Sequence, residues 1–338
     1  MVICDDMALK TLFYGLDAMK ADLKGRVLFI NAKPHSALAA LADHTICVQW
    51  FKPYYDALRE HETLSRIETL EGEFDTALLL IPKNMTEARY LIAQAFTHLK
   101  AGGVLYCACE NKAGGTRLQK ILQQFNADIV QQISKHKSRF IACRNEGVNS
   151  DFVARALKEG CIQAIDKTGF MSQSGIYGWD KIDKGSALLL QYIPQDLKGR
   201  IADFGCGYGY LLQHILQHNK GIKTAYAIDA DARALECARQ NLSDGRVEYL
   251  WADLTKSEGI PTRLDAIIMN PPFHEGKKTD SDIGIAFIQC AAASLKRNGA
   301  LYMVANNQLP YEAVLKDSFH SYELLAQHNG FKVFKAVV

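Results

Sequence analysis

The chain has 338 residues, enough for about two domains. Its apolar fraction of 48% and charged fraction of 22% are those of globular proteins, which excludes a mostly disordered, collagenous or coiled-coil chain. The formal charge of 39 − 37 = +2 neither requires nor excludes a nucleic-acid partner, since a local basic patch can lie within a near-neutral total.

No apolar run approaches the roughly 18 residues that a membrane span requires, and the first residues lack the basic and apolar regions of a secretory signal. The nine cysteines show no CxxC pair and no spacing typical of metal ligands. We therefore expect reduced core thiols in a cytoplasmic protein, with no metal and no membrane contact. We also expect the chain to act as a monomer.

Short apolar runs in the first half alternate with stretches of helical periodicity. The runs cover residues 27–30, 76–81 and 103–109, and such alternation is typical of a parallel sheet covered by helices. Between the last two runs, apolar residues at three- and four-residue spacings predict a helix from Thr86 to Lys100 that ends at a glycine stop. The predicted class is α/β.

The same order of elements returns in the second half. The segment LKAGGVLYCACEN at 99–111 matches LKRNGALYMVAN at 295–306, an offset of 295 − 99 = 196 residues. An offset of domain length indicates a duplicated domain rather than a solenoid repeat. We therefore predict two domains of one fold, residues 1–150 and 151–338, joined in the polar stretch near 150 or in the loop-like stretch 169–185.

A glycine-rich turn follows the first strand of the second half, residues 201–204. The turn contains Gly205, Gly207 and Gly209 and leads into a helix that is apolar on one face, as in a nucleotide-binding crevice. Glycines let the backbone approach a ligand that a β-carbon would push away. The dinucleotide fingerprint G-x-G-x-x-G needs a glycine where Tyr210 stands, which disfavours a nicotinamide oxidoreductase.

Together with Asp203 the turn has the pattern D-x-G-x-G-x-G, which resembles motif I of S-adenosylmethionine-dependent methyltransferases. In that family the leading acid faces the methionine moiety of the cofactor, and a carboxylate suits its cationic ammonium and sulfonium groups. Asp229 ends the next predicted strand, where a carboxylate can accept both hydroxyls of an adenosine ribose. The resemblance assigns Asp253, after the third strand, to the adenine amino group.

The fourth strand, residues 264–269, runs into the sequence Asn270, Pro271, Pro272, Phe273, His274. The two prolines stiffen the loop and remove two N–H donors. If the Asn270 side-chain oxygen and the Pro271 carbonyl each accept one N–H of an exocyclic amine, the nitrogen lone pair is aimed at a sulfonium methyl group. Phe273 offers a face on which a base can stack, and His274 either contacts the substrate or caps the turn.

Three segments, NPPFHEGKKTD, VANNQLPYEAVL and GFKVFKAV, resemble the bacterial small-subunit ribosomal RNA guanine-N2 methyltransferase family, RsmC. The resemblance spans most of the chain and is strongest from about Gly169 onward. It implies two tandem Rossmann-like methyltransferase domains with seven-stranded mixed sheets, of which the first is degenerate. It further implies S-adenosylmethionine as cofactor, contacted by Asn270 among others, and 16S ribosomal RNA, or the small ribosomal subunit, as partner.

The first half lacks both motifs. Residues 31–34 are Asn-Ala-Lys-Pro where the glycine turn belongs, and residues 81–84 are Ile-Pro-Lys-Asn where NPPF belongs. We therefore expect this half to bind neither cofactor nor target base, and either to brace the second half or to grip RNA. Phosphate contacts are predicted by position for Lys277 and Lys278; a second cationic cluster, either phosphate-binding or an ordinary solvated face, comprises Lys135, Lys137, Arg139 and Arg144.

The leading hypothesis is transfer of a methyl group to the exocyclic N2 of a guanine in 16S ribosomal RNA. One alternative is methylation of another planar amine, namely a guanine of large-subunit ribosomal RNA, an adenine N6 or a protein glutamine, because NPPF serves the same nitrogen chemistry in each. A second is a non-catalytic RNA-binding or assembly protein. The intact motifs of the second half argue against the latter.

Overall fold

The computed structural model describes residues 6–23, 25–272 and 278–338, and the chain divides into two compact units, Met1–Cys161 and Ile162–Val338. Each unit contains one seven-stranded mixed sheet with helices packed on it. The predicted α/β class with two tandem Rossmann-like domains is confirmed. None of the described helices is both long and apolar enough to cross a membrane.

The sheet of the first unit has the strand order β3-β2-β1-β4-β5-β7-β6, in which β7 pairs antiparallel with both β5 and β6. Its strands are β1 (Val27–Ile30), β2 (Thr45–Val48), β3 (Glu62–Leu64), β4 (Phe74–Leu80), β5 (Leu99–Glu110), β6 (Asp128–Lys135) and β7 (Ser138–Arg144). Its helices are α1 (Met7–Ala18), α2 (Lys52–Ala57), α3 (Met85–His98), α4 (Leu118–Gln124) and α5 (Ser150–Gly160).

The second unit begins with a short hairpin, β8 (Gln163–Ala164) and β9 (Met171–Ser172). Its main sheet has the order β12-β11-β10-β13-β14-β16-β15. The strands are β10 (Lys198–Phe204), β11 (Gly221–Asp229), β12 (Val247–Trp251), β13 (Leu264–Met269), β14 (Leu295–Asn306), β15 (Ser321–His328) and β16 (Phe331–Val337). The helices are α6 (Lys184–Leu190), α7 (Tyr210–His218), α8 (Ala232–Asn241), α9 (Lys278–Ser294) and α10 (Glu312–Ser318).

The two sheets have the same strand order, and one polar contact recurs at the same place in both. In the first unit, the Arg26 N–H donates to Asp75 Oδ2 at 2.9 Å. In the second, the Arg200 N–H donates to Asp265 Oδ2 at 2.8 Å. This contact aligns the first and fourth strands of the two units residue by residue, and the predicted duplication is therefore confirmed.

The boundary between α3 and β5 differs from the prediction. The helix ends at His98, and the next residue, Leu99, is buried and pairs with Phe74 in the sheet. The apolar periodicity that extends the predicted helix by two residues, to Lys100, therefore belongs to a strand. Gly102 and Gly103 lie inside β5 rather than at the end of the helix.

The division between the units lies after Cys161, between the two joins predicted from the sequence, near residue 150 and in the stretch 169–185. The polar stretch near 150 supplies Asn149, which caps α5 by accepting the Phe152 N–H at 3.0 Å. Helix α5 then packs on α3 so closely that a β-carbon on Gly160 would lie 2.2 Å from Tyr90 Cβ. A helix in such contact belongs to the first unit.

No disulfide joins the cysteines within the described residues, and all of these cysteines except Cys161 are buried. Burial raises the pKa of the Cys47 thiol to about 12. A thiol with so high a pKa is protonated at neutral pH and packs as a small apolar group.

Candidate active site

The carboxyl ends of neighbouring parallel strands meet at one edge of the second sheet. Asp203 is the second-to-last residue of β10, Asp229 ends β11 and Asn270 directly follows β13. Because β11, β10 and β13 are adjacent in the sheet, these three side chains come from neighbouring strands. A cleft opens at this edge and is lined in part by Gly205, Gly207 and Asn270.

The three glycines of the turn after β10 all have positive φ angles, and Gly209 and Gly207 have different roles. A β-carbon on Gly209 would lie 3.0 Å from Leu242, so this glycine allows close helix packing. A β-carbon on Gly207 would meet nothing within 4 Å, and the Gly207 N–H donates to Asp229 Oδ2 at 2.8 Å. Gly207 therefore leaves open space in the cleft beside a strand-end carboxylate.

Asp203 is fully buried, and neither of its carboxylate oxygens has a hydrogen-bond partner among the described residues. Burial, with a smaller contribution from the nearby Asp229, raises the pKa of Asp203 to about 8. Burial likewise raises the pKa of Asp229 to about 6, although Asp229 accepts two backbone N–H groups. Two acids in this state favour a ligand that brings positive charge and hydrogen-bond donors.

Asp253 lies two residues beyond the end of β12 and is held by its own turn. Its Oδ1 accepts the Thr255 N–H at 3.0 Å and the Thr255 hydroxyl at 2.5 Å, and Lys256 Nζ lies 3.6 Å from its Oδ2. Asp253 does not line the cleft. Its assignment to the adenine amino group stays a prediction.

The Asn270 side chain is anchored through its amide nitrogen. Nδ2 donates to Asp183 Oδ1 at 2.7 Å and to Ser186 Oγ at 2.9 Å. The other end of the amide, Oδ1, is buried and has no partner within the described part of the chain. The predicted acceptor oxygen is thus buried and without a partner among the described residues, on a residue that lines the cleft.

Several predicted substrate contacts lie outside the described residues, namely Phe273, His274 and Lys277. Lys278 is the first residue of α9, and its side chain is not described either. Of the two prolines, Pro271 is buried and Pro272 is exposed. The predicted roles of these residues stay predictions.

Four residues of the cleft were not predicted by any sequence motif: Tyr177, Gly178, Asp183 and Ser186. They lie in or just after the stretch 169–185, whose composition indicates only a loop. Asp183 caps α6 by accepting the Ser186 N–H at 2.8 Å. An Asp just ahead of an apolar run is a recognisable helix-start signal. The contact with Asn270 has no such signal, because it joins residues 87 positions apart.

The first unit has other side chains at the equivalent edge. The Arg26 N–H and the Arg200 N–H make equivalent contacts in the two units, so these two residues correspond. Counting along the strand from this pair, Phe29 corresponds to Asp203 and Lys33 corresponds to Gly207. Phe29 is fully buried, and the Lys33 ammonium lies 2.5 Å from the Asp6 carboxylate. The matching contacts of Asp75 and Asp265 equate residues 80–83, Leu-Ile-Pro-Lys, with NPPF, which corrects the predicted 81–84 by one residue.

The predicted cationic cluster of the first unit is split by the β6–β7 hairpin. Lys135, Lys137 and Arg139 lie at or beside the turn between the strands. Arg144 lies at the opposite end of β7, and its guanidinium is 3.8 Å from the Glu146 carboxylate. The expectation of one four-residue cluster is therefore wrong, because an extended strand advances about 3.3 Å per residue and carries its two ends apart.

Two family models match the chain. "Methyltransferase small domain" matches residues 167–335, and "Methyltransferase small domain N-terminal" matches residues 19–156. The chain is 30% identical over 322 residues to Ribosomal RNA small subunit methyltransferase C of Acinetobacter baumannii, covering 93% of this chain and 95% of that protein. The protein of the same name from Psychromonas ingrahamii is 30% identical over 309 residues, covering 89% and 88%.

One solved structure is similar over nearly the whole chain. It is the T. Thermophilus 16S rRNA N2 G1207 methyltransferase (RsmC) in complex with AdoMet and guanosine. The TM-score is 0.77 at 18% identity, with 99% of this chain and 92% of that chain covered. At this level of identity the likeness shows a shared fold.

The protonation of Asp203 predicts how stability depends on pH. The unfolded chain loses this proton near the ordinary pKa of 3.8, whereas the ligand-free folded chain keeps it to about pH 8. The folded state thus binds more protons between about pH 4 and pH 8, and the free energy of unfolding falls as the pH rises through that window. In Asp203→Asn, which does not titrate, we expect the fall between pH 5 and pH 8 to be smaller by about 1 kcal/mol or more.

Urea unfolding of both proteins at the two pH values measures this difference, and the titrating groups that do not interact with Asp203 cancel in the comparison. An identical pH dependence in wild type and Asp203→Asn would contradict a protonated Asp203 in the folded chain.

Proposed function

The chain belongs to the Ribosomal RNA small subunit methyltransferase C family, and from this premise we propose that it transfers a methyl group from S-adenosylmethionine to the exocyclic N2 of a guanine in 16S ribosomal RNA. The chain is an S-adenosylmethionine-dependent ribosomal RNA methyltransferase. The enzyme class predicted from the sequence agrees with the names of its curated relatives. The predicted cofactor is the one named in the similar RsmC structure, AdoMet.

The residues at the carboxyl edge of the second sheet fit S-adenosylmethionine, which when bound supplies an electrophilic methyl group on a sulfonium. Asp203 has two buried carboxylate oxygens without partners among the described residues, which suits a cationic group. Asp229 already accepts the Gly207 and Asp231 N–H groups and has lone pairs left for ribose hydroxyls. Gly207 leaves the space that a ligand beside the backbone needs.

The observation that carries the proposal is that Asn270 Oδ1 is buried and has no partner among the described residues. An exocyclic amine on a planar base is a poor nucleophile because its lone pair is delocalised into the ring. When an oxygen accepts one of the N–H groups of this amine, it draws the hydrogen out of the plane of the base. The lone pair of the nitrogen then points in a fixed direction. A nucleophile held in this way reacts as if the step were intramolecular, which lowers the barrier by several kcal/mol, about 7–11 at the upper limit.

Recognition of the RNA rests on residues whose roles are proposals. Phe273 stacks on the target base, and Lys277 and Lys278 contact phosphates near it. Lys135 and Lys137 are exposed at the β6–β7 turn of the first unit and are a second set of candidate phosphate contacts. We also propose that the enzyme acts as a monomer in the cytoplasm.

The substrate is tested by mapping the methylated product. Incubation with labelled S-adenosylmethionine and either 16S ribosomal RNA or whole small subunits should yield labelled N2-methylguanosine on nucleoside digestion. Label in adenosine, in large-subunit RNA or in protein glutamine would instead support one of the alternative amines. Absence of label from every acceptor, without S-adenosylmethionine binding in calorimetry, would support a non-catalytic protein.

The role of Asn270 predicts a loss of activity without a comparable loss of affinity for the cofactor. We expect Asn270→Ala to abolish methyl transfer and to keep the dissociation constant for S-adenosylmethionine within about tenfold of wild type, because the main effect of the substitution is to remove the amine acceptor. Single-turnover kinetics and calorimetry on the same sample separate the two effects. Normal turnover in this variant would rule out the mechanism.

The open space at Gly207 predicts the opposite result, a loss of affinity for the cofactor. In Gly207→Ala the new β-carbon meets no protein atom within 4 Å, so the variant should fold but should bind S-adenosylmethionine at least about tenfold more weakly, because the methyl group occupies ligand space. Gly147→Ala is the matched control, since Gly147 also has a positive φ and nothing within 4 Å but lies in the first unit. Equal cofactor affinity in the two variants would contradict a cofactor that binds beside Gly207.

A further inference from the structure

Three donors surround the carboxylate of Asp183, and only one of them belongs to its helix cap. Oδ1 accepts the Ser186 N–H at 2.8 Å and Asn270 Nδ2 at 2.7 Å. Oδ2 lies 3.2 Å from the Tyr177 hydroxyl, which donates to it. Burial and the Asp183 carboxylate raise the pKa of Tyr177, so its hydroxyl keeps its proton and remains a donor. A residue needed only as a cap would use the first of these contacts.

A carboxylate acts on an asparagine in one direction only. The Asn270 amide has a donor end and an acceptor end of almost equal size, and it can rotate to suit its neighbours. An ionised carboxylate has no hydrogen to give, so it selects the rotamer in which Nδ2 faces it. The Asn270 oxygen must then face the other way, where it has no partner among the described residues.

We propose that Asp183 is a positioning residue for methyl transfer: it fixes the orientation of the Asn270 amide so that Oδ1 is presented to the substrate amine. This inference rests on the proposed function. Ser186 supports the same orientation, because its Oγ lies 2.9 Å from Asn270 Nδ2. The cap of α6 holds Asp183 in turn, so the start of one helix sets the direction of a side chain on a different strand end.

The first unit contains the same cap without the same task. Asp6 precedes α1 as Asp183 precedes α6, and its Oδ1 accepts the Leu9 N–H at 2.8 Å. Its second oxygen pairs with Lys33, which stands where the second unit has Gly207. The chain therefore carries an internal control for the structural part of the role of Asp183.

The test compares Asp183→Ser with Asp6→Ser. Serine caps a helix about as well as aspartate, but its hydroxyl is shorter and can also donate, so it no longer forces the Asn270 amide into one orientation. We expect kcat to fall about 10²-fold in Asp183→Ser, as for a displaced reacting group. KM for the RNA and the dissociation constant for S-adenosylmethionine should stay within about threefold of wild type. In Asp6→Ser we expect kcat within about twofold of wild type.

Two further variants keep the test decisive if Asp183→Ser does not fold. Asp183→Asn retains an acceptor oxygen and should lose less kcat than Asp183→Ser, about tenfold or less. Ser186→Ala removes the second acceptor of Asn270 and leaves the backbone N–H of the cap, so it should lower kcat by a few-fold, about the effect of one neutral hydrogen bond.

Wild-type kcat in both Asp183→Asn and Ser186→Ala, or in Asp183→Ser, would overturn the proposal. A loss of cofactor affinity in Asp183→Ser as large as the loss of kcat would also overturn it, since Asp183 would then act through the cofactor site. Failure of the proposed function gives a different result, in which the wild-type enzyme itself leaves N2 of guanine in 16S ribosomal RNA unmethylated.

Discussion

Both units depend on a carboxylate at the start of the fourth strand. Asp265 accepts the backbone N–H of Arg200 and is paired with the Lys296 ammonium, so it links β13 to β10 on one side and to β14 on the other. Asp75 makes the equivalent contacts in the first unit, with Lys100 Nζ at 2.7 Å. A shift of one residue in any of these strands would turn its side chains to the opposite face. The contact at the amino edge therefore decides which residues emerge at the carboxyl edge, where the cleft lies.

The shared register lets the two units be compared position by position at that edge. The first unit closes the positions that the second leaves open. Gln49, the equivalent of Asp229, donates to the Ala32 carbonyl at 2.6 Å and accepts the Phe51 N–H at 2.8 Å. Lys33 is paired with Asp6, and Phe29 needs no partner. Polar groups that already have hydrogen-bond partners within the protein do not need a ligand to supply them. The second unit, in contrast, retains carboxylate and amide oxygens without partners among the described residues.

The parts of the fold that could be predicted from the sequence are those that depend on neighbours along the chain. Strand, glycine turn and helix after residue 201 follow from periodicity and from glycine, and the stiff corner after Met269 follows from two prolines. What was missed depends on pairing between strands and on contacts between distant segments. Leu99 continues a helical pattern and yet joins the sheet. Arg139 and Arg144 are close in sequence, but the register of β7 against β6 places them at opposite ends of the hairpin. The contact between Asp183 and Asn270 joins two segments that no local pattern connects.

The two units also show what the active edge costs in stability. At the same position of the same strand, the first unit buries Phe29 and the second buries Asp203. An apolar side chain there packs without needing a partner, whereas the Asp203 carboxyl keeps a proton to about pH 8 because burial opposes its charge. If stability alone determined the residue at this position, an apolar side chain such as Phe29 would be favoured in both units. A bound cation that favours the ionised carboxylate stabilises the folded second unit, so cofactor occupancy and stability are linked through this one side chain.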